Sequence, residues 1–398
     1  MSKIIVHIDL NAFFVTCEEL KNPKLVGQPV LIGHTGRGGI VSTCSYAARK
    51  YGVHSGQPTY QALELCPDCI VIPGDYQYYS KKSHEFFHFV ERYAKKIEKA
   101  SVDECFVDMT DELKGVKNIT EYFRSFQNNL LKEVGLKCSI GIAPTKFLAK
   151  MASDLKKPMG ITIIRRRDVR KILDPLPISS FYGIGKKTAP RLEEMGIKTI
   201  GDLAMLINND NQEVKQQFGK FYYVIKDWIN GYGSDEVDVA PWDPKSIGHS
   251  TTFYRNSDNF EEVRAYLKDL SEEVSKEAQA KNKIGTNVQI VLKTKDFKSI
   301  TRSKKLAKPT NDFAVIFNEA SILLEKNFPN TEIRLAGVTL QNLTDKDDYV
   351  EQLSLFDNFN EIKEENETKL LIRELNRRMK NDVFMRASDV LKGERHGH

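Results

Sequence analysis

No run of apolar residues in this chain approaches the roughly 18 that a membrane-crossing helix needs. The opening MSKIIVHIDLNAFF also turns polar too soon for a signal peptide. A cytoplasmic protein with no membrane partner is expected. Cysteine is sparse, at 17, 44, 66, 69, 105 and 138, and Cys66-Pro-Asp-Cys69 makes the only close pair in the sequence. A structural zinc site would need a second pair or nearby histidines, so the six read as unpaired thiols in a reducing compartment. There is no repeat of fixed period and no low-complexity tract. Net charge is slight, +5 from 59 Lys and Arg against 54 Asp and Glu.

What is present is ordinary globular material, 40% hydrophobic and 28% charged over 398 residues. That length exceeds one core, so two to four domains are expected. Charge is unevenly placed. KTKDFKSITRSKKLAK, residues 293–308, holds seven Lys or Arg against Asp296. Such a stripe is either a phosphate-binding surface or a solvated edge that resists aggregation.

The periodicities predict a buried strand over 3–10, short strands at 30–32 and 39–43, and a helix from Ser45 ended by Gly52. A long helix is predicted across 76–99 from Phe86, Phe89, Val90 and Tyr93, then a strand hairpin around 103–104. A helix near 118–134, a strand at 137–142 and a helix in APTKFLAKMASDLKKP follow. This alternation suggests an α+β domain of about 165 residues with 11–75 inserted as a subdomain. Residues 166–232 read as all-helical, PWDPK at 241–245 as a linker, and 246–342 as strand–helix–strand. After 343 the chain turns acidic, then basic, with no evident core.

KASVDECFVDM, residues 99–109, sets Asp103 beside Glu104 in a strand-like run. Buried carboxylates are costly unless something positive meets them. In IIVHIDLNAFF, alternation puts Val6, Ile8 and Leu10 on one face and His7, Asp9 and Asn11 on the other, supplying a third acid. Adjacent strand residues point to opposite faces, so Asp103 and Glu104 can converge only where a strand ends, twists or turns. Three carboxylates at strand ends suit divalent cations with a taste for hard oxygen ligands; a surface hairpin whose acids face water is the alternative. Asp108 on the same strand reads as structural.

Several stretches occur in an order that closely resembles a Y-family DNA polymerase, most similar to the bacterial DNA polymerase IV type. They are HIDLNAFFVTCEE, STCSYAARKYGVHSGQP, ASVDECFVDMT, IGIAPTKFLAKMASDLKKPMG, FYGIGKKTAPRLEEMGIKTIGDL and KSIGHSTTF. The likeness covers about 1–342. It implies an α+β multidomain right hand: a ferredoxin-like palm (1–10 and 76–165), small fingers (11–75), and a helical thumb (166–232) with a helix-hairpin-helix. A linker (233–245), a separate α/β little finger (246–342) and a tail (343–398) would follow.

The resemblance also implies roles. Asp9, Asp103 and Glu104 would be the catalytic carboxylates. With the main-chain carbonyl of Leu10 they would hold two Mg²⁺ ions, Mn²⁺ being possible. Phe14 would be the steric gate against a ribose 2′-hydroxyl, with Phe13 beside it. Thr43, Tyr46, Arg49 and Lys157 would grip the triphosphate, and Ile40 and Ser42 would cover the nascent base pair. Gly183, Gly185 and Lys186 in the thumb, and Lys293, Lys295 and Arg302 in the little finger, would contact primer-template DNA. Gln352, Leu353, Leu355 and Phe356 in EQLSLFDNF resemble the peptide that docks on the bacterial sliding clamp. Asn11 stands where many relatives have an acid, and Ala47 where they commonly have Glu. The activity implied is template-directed, error-prone translesion synthesis from dNTPs by a monomer, with no segment resembling a proofreading exonuclease. Two rivals stand beside it: a non-catalytic DNA- and clamp-binding protein of polymerase shape, and another two-metal enzyme such as a nuclease or nucleotidyl cyclase.

Overall fold

The computed structural model describes residues 3–349; the clamp-like peptide at 352–356 lies outside them. The chain divides into two compact units at Asp243/Pro244.

The first unit contains β1 (Ile5–Leu10), β2 (Val30–Ile32), β3 (Thr43–Cys44), β4 (Ile70–Ile72), β5 (Lys96–Lys99), β6 (Glu104–Asp108), β7 (Cys138–Ala143) and β8 (Ile161–Ile163). Its larger sheet has the order β5-β6-β1-β7-β8. β1 is central, antiparallel to both β6 and β7, and every one of its residues is buried. Val6, Ile8 and Leu10 pack into one core with α1 (Phe13–Lys21), α4 (Tyr76–Glu91) and α5 (Ile119–Val134), through Phe86, Phe89, Val90, Phe123, Phe126 and Leu130. Each such buried side chain contributes about 1.5–3 kcal/mol, so the apolar face fixes where β1 lies. The opposite face, with His7, Asp9 and Asn11, meets α6 (Lys146–Asp154) and the turn after it. The Thr145 side chain caps the start of α6.

The predicted helix across 76–99 ends earlier, at Glu91, and Lys96–Lys99 is an edge strand. The tyrosine and alanine N–H groups at 93 and 94 turn back to Val90 O. Beyond them KIEK pairs with β6, Ile97 opposite Val107; its exposure does not alternate, so no two-residue period marked it as a strand. The strand expected at 39–43 shrinks to Thr43–Cys44, because Ile40 only bridges Pro58.

β2, β3 and β4 form a small sheet with α2 (Tyr46–Arg49) and α3 (Thr59–Leu65) around Leu31, Val41, Cys44, Ala48, Val53, Ala62 and Cys66. The segment 11–75 is not separate throughout. Phe13, Val15, Cys17, Leu25, Val30 and Ile32 belong to the core under β1. All six cysteines are free and buried.

Residues 166–232 form α7 (Val169–Leu173), α8 (Ala189–Glu194), α9 (Ile200–Asn208), α10 (Gln212–Phe218) and α11 (Phe221–Ile229). They share a core with α6 through Phe147, Leu148, Met151, Phe181, Leu203 and Ile225. Val237 is buried in that core too, so the chain is anchored for several residues past 233.

In the second unit β9 (Ser246–Ser257), β10 (Lys283–Thr294), β11 (Ser299–Thr310) and β12 (Ile333–Asp345) pair antiparallel in the order β11-β10-β12-β9. α12 (Phe260–Ala280) and α13 (Phe313–Asn327) cover one face of the sheet. β12 runs beyond the expected boundary at 342, with Asp345 opposite Lys283.

Candidate active site

Asp9 and Glu104 are direct partners across the β1–β6 ladder and so share a face. Asp103 lies in the turn just before β6, where its carbonyl accepts the Leu10 N–H at 3.0 Å. The turn resolves the geometric difficulty of two adjacent acids, since residue 103 is not bound by strand alternation. The Asp103 carboxylate accepts the Ser101 hydroxyl at 2.5 Å. Asp108 has a local task, taking the Thr110 hydroxyl and N–H on one oxygen.

Among the described residues His7, Asp9 and Glu104 form a cluster of donor atoms that could hold a metal ion, all within 4.8 Å of one another; Asp103 stands beside it. His7 follows from strand alternation, two residues before Asp9. Its Nδ1 is 2.8 Å from Ser153 Oγ and its Nε2 3.5 Å from Glu104. Two lysines complete the group. Lys150 Nζ sits 3.1 Å from Asp9 Oδ2 and also bonds the Glu104 carboxylate. Lys157 Nζ reaches Asp9 Oδ2 at 2.8 Å and Asp154 Oδ1 at 2.7 Å. Lys150 escaped sequence reasoning, because a lysine in an amphipathic helix has no distinguishing spacing.

Charge and burial set these groups against one another. Burial pushes the Asp103 carboxyl up, and the charges of Asp9 and Glu104 add to this against the Ser101 hydrogen bond. Burial works against Glu104 as well, but His7 and Lys150 hold it well below the usual carboxylate range. His7 is held below its ordinary value, chiefly by burial. Burial opposes the ammonium forms of Lys150 and Lys157, yet Asp9 and its neighbours raise both. The donor set fits hard divalent cations: two facing carboxylates, a third beside them, and oxygens throughout apart from His7.

The residues expected on the nucleotide side lie on neighbouring elements of the first unit. Arg49 stacks its guanidinium over the Tyr46 ring, 4.6 Å from its centre. Burial raises the Tyr46 phenol, while the charges of Arg49, Lys157, Asp9 and Asp154 also act on it, so the start of α2 faces the acids. Thr43 is half-buried in β3. Phe14 stacks on Tyr79 with centroids 4.4 Å apart and rings 13° from parallel, and meets the edge of Tyr76 at 5.7 Å. Phe13, fully packed, lies 5.5 Å from Phe14. Tyr76 and Tyr79 were missed by sequence reasoning, being more than sixty positions away. Tyr76 and Ser42 hydroxyls are 3.3 Å apart. With Ile40, Gly33 and His34 they line a cavity of about 290 Å³.

In the helical part, Gly183 adopts φ +96°, a conformation that glycine reaches without strain, and Gly185 O accepts the Thr188 and Ala189 N–H groups. Lys186 Nζ lies 3.2 Å from His54 Nδ1. The basic stripe is split. Lys295 pairs with Glu332 at 3.2 Å, Arg302 donates to Asn327 at 2.8 Å, and Lys304 faces Glu319 at 3.9 Å. Lys293 lies over the exposed Phe297 ring, 6.0 Å from its centre.

The profile of the impB/mucB/samB family matches residues 8–154, that of its C-terminal domain 244–355, and that of the IMS family HHH motif 166–197. The chain is 37% identical over 401 aligned residues to "DNA polymerase IV 1" of Bacillus subtilis (strain 168), covering 99% of this chain and 94% of that one. It is 37% identical to "DNA polymerase IV" of Listeria monocytogenes serotype 4a (strain HCC23), covering 89% and 98%. Among solved structures it is similar to a Y-family DNA polymerase chimera, Dbh-Dpo4(243-245)-Dbh, at a TM-score of 0.74 and 29% identity over 85% of this chain and 98% of the other. An insertion ternary complex of Dbh DNA polymerase matches at 0.59 and 28% identity, with the same coverage. Among the described residues no helix is long and apolar enough to cross a membrane.

Proposed function

This chain belongs to the impB/mucB/samB family of Y-family DNA polymerases, and from that membership we propose how its residues divide the work of translesion synthesis. It is a DNA-directed DNA polymerase that takes primer-template DNA and dNTPs. The observation that carries the assignment of the site is the facing pair Asp9 and Glu104, with Asp103 in the adjoining turn.

Asp9, Asp103 and Glu104, with the carbonyl of Leu10, would hold two divalent cations, Mg²⁺ or Mn²⁺ by their oxygen chemistry. Such ions neutralise the attacking and leaving oxygens of an in-line phosphoryl transfer. The protein's own part is alignment and charge. Arg49, Lys157, Tyr46 and Thr43 offer cations and hydroxyl donors to a triphosphate. Arg49 is pre-oriented by Tyr46, so less freedom is lost on binding. Phe14, backed by Tyr79, presents a rigid ring where a 2′-hydroxyl would clash. Ile40 and Ser42 roof the nascent pair beside Tyr76.

The 11–75 segment serves as fingers, the sheet around β1 as palm, 166–232 as thumb and the second unit as little finger. Gly183, Gly185 and Lys186 hold backbone phosphate without reading sequence. Lys293, Lys295 and Arg302 of the basic stripe contact the duplex backbone. Lys295 and Arg302 would first have to leave Glu332 and Asn327. The 352–356 peptide docks on the bacterial sliding clamp.

The test is extension of a labelled primer-template with dNTPs and Mg²⁺, native protein against Asp103→Ala. Template-directed extension by the native protein that is lost in the variant supports the reading. Binding of DNA without extension by either would favour the non-catalytic rival. Equal extension by both would remove Asp103 from the site.

A further inference from the structure

Asn11, two residues past Asp9 on the same face of the chain, is 3% exposed, and all of its polar groups are engaged. Its N–H donates to Lys137 O at 2.7 Å, and its carbonyl accepts the Thr16 hydroxyl at 2.9 Å. The side chain works as a bracket. Nδ2 donates to Ser139 Oγ at 2.9 Å, and Oδ1 accepts the Met159 N–H at 2.8 Å. The Met159 N–H can only donate, so it fixes which end of the amide faces it, while the Ser139 hydroxyl can take either role.

Met159 needs holding. It has φ +61°, a conformation L side chains rarely adopt. Its carbonyl is gripped as well, by Gln127 Nε2 and Arg124 Nη1, each at 3.2 Å. Gln127 is fully buried and tied to Cys138 O at 2.8 Å. The turn closes on itself at Gly160, where a Cβ would stand 2.1 Å from Lys156 O. Residue 159 is thus held at its N–H by Asn11, just past β1, and at its carbonyl by Gln127 and Arg124 of α5. Lys157, two residues earlier in this turn, carries the ammonium that lies 2.8 Å from Asp9.

We infer that Asn11 is a positioning residue for nucleotide binding: by accepting the Met159 N–H it sets the 156–160 turn and so holds Lys157 where a triphosphate arrives. The inference rests on the reading of Lys157 as a triphosphate ligand. It gives a reason for a residue whose side chain touches neither the acids nor the gate. It also separates two substitutions that look alike. Asn11→Asp keeps an acceptor for Met159 N–H and can take the Ser139 hydroxyl on its second oxygen. Asn11→Leu, of similar size, loses both bonds.

The experiment is steady-state dNTP incorporation by the full chain, with primer-template Kd and thermal unfolding measured alongside. Asn11→Leu should raise KM for dNTP about tenfold while changing kcat less than about threefold, with DNA affinity unaltered. Asn11→Asp should stay within about twofold of native in KM. Lys157→Ala should raise KM by itself, and adding Asn11→Leu should then raise it no further, as groups acting through one another are non-additive. A native KM for Lys157→Ala overturns the triphosphate assignment and this inference with it. A raised KM for Lys157→Ala with a native KM for Asn11→Leu, or a further rise in the double variant, overturns the inference alone. Should Asn11→Leu fail to fold, Ser139→Ala releases the amide from its anchor and should show a smaller rise in KM; a native KM there overturns the inference.

Discussion

Lys150→Met tests whether the ammonium between Asp9 and Glu104 stabilises the protein before any metal arrives. Methionine keeps most of the lysine stem and removes the charge. Lys150 is only 14% exposed in its side chain, Asp9 11% and Glu104 24%, so water screens the group weakly. At an effective dielectric of about 20, a contact near 3 Å is worth about 5 kcal/mol of raw attraction. Desolvation offsets much of it, and removing one partner from a buried pair costs about 3–5 kcal/mol. The first unit spans Met1–Asp243, a size at which each kcal/mol moves Tm by about 2–4 °C. A fall of about 10 °C is therefore expected at neutral pH.

The sign of the pH dependence follows from the same contacts. Lys150 is raised above its ordinary 10.5, so its contribution is complete at neutral pH and is lost only as pH climbs through the folded value. Glu104 is depressed below 4.5, so its contribution is present above that value and lost as pH falls through the folded one. In the variant Glu104 titrates higher, so the deficit should narrow as pH falls from the variant's Glu104 value toward the native one. Differential scanning calorimetry across pH, with and without Mg²⁺ or Mn²⁺, reads all of this. Divalent ions should raise the Tm of the variant more than that of the native protein, as they replace the missing charge. A Tm within about 2 °C of native at neutral pH, or a deficit that neither acid nor metal reduces, would refute the reasoning.

Phe14→Ala should lower discrimination against ribonucleotides by about 100-fold, since the ring that would meet the 2′-hydroxyl is gone; competing incorporation of rNTP and dNTP measures it, and unchanged sugar selection removes the gate. Deleting 352–356 should abolish stimulation by the bacterial sliding clamp and leave basal extension intact, as a primer-extension titration with clamp reads directly.

The grouping of the acids had a local signal: Asp9 lies near the end of a strongly apolar strand, and Asp103 and Glu104 interrupt another. The gate role of Phe14 had none, since two adjacent phenylalanines read equally well as core, and it rests on the family resemblance. The general plan of helices and strands was legible wherever hydrophobic period and length agreed, as in α5 and β7. β5 was not, because Lys96 and Lys99 left only Ile97 to mark a half-buried edge. Lys150, Tyr76 and Asn11 were illegible in their roles for a shared reason. Each acts on a partner far away in sequence, and only the packing of α6, α4 and the 156–160 turn against β1 brings them to the site.

The arrangement of charge fits the proposed chemistry better than it fits stability alone. A buried ion-pair network of this kind is often no better for folding than apolar residues of the same volume. The surrounding sheet already has such residues: Ile8 and Cys105, one step back along the two strands from Asp9 and Glu104, are paired across the same ladder and buried. An apolar pair at 9 and 104, on the opposite face, would have needed no cation to hold it. Instead the chain places a raised Asp103 beside a depressed Glu104, and two lysines on one aspartate. Like charges pushed together, and cations gathered to hold them, describe a site whose balance is incomplete without a further ligand of high positive charge and a further one of high negative charge. A divalent cation and a triphosphate supply those two signs. Burial, with the charges of Asp9 and Glu104 behind it, disfavours the Asp103 carboxylate, so Asp103→Asn should make the unloaded protein more stable, and in the proposed role it should end extension. A less stable, or equally active, Asp103→Asn would separate the acid from the chemistry.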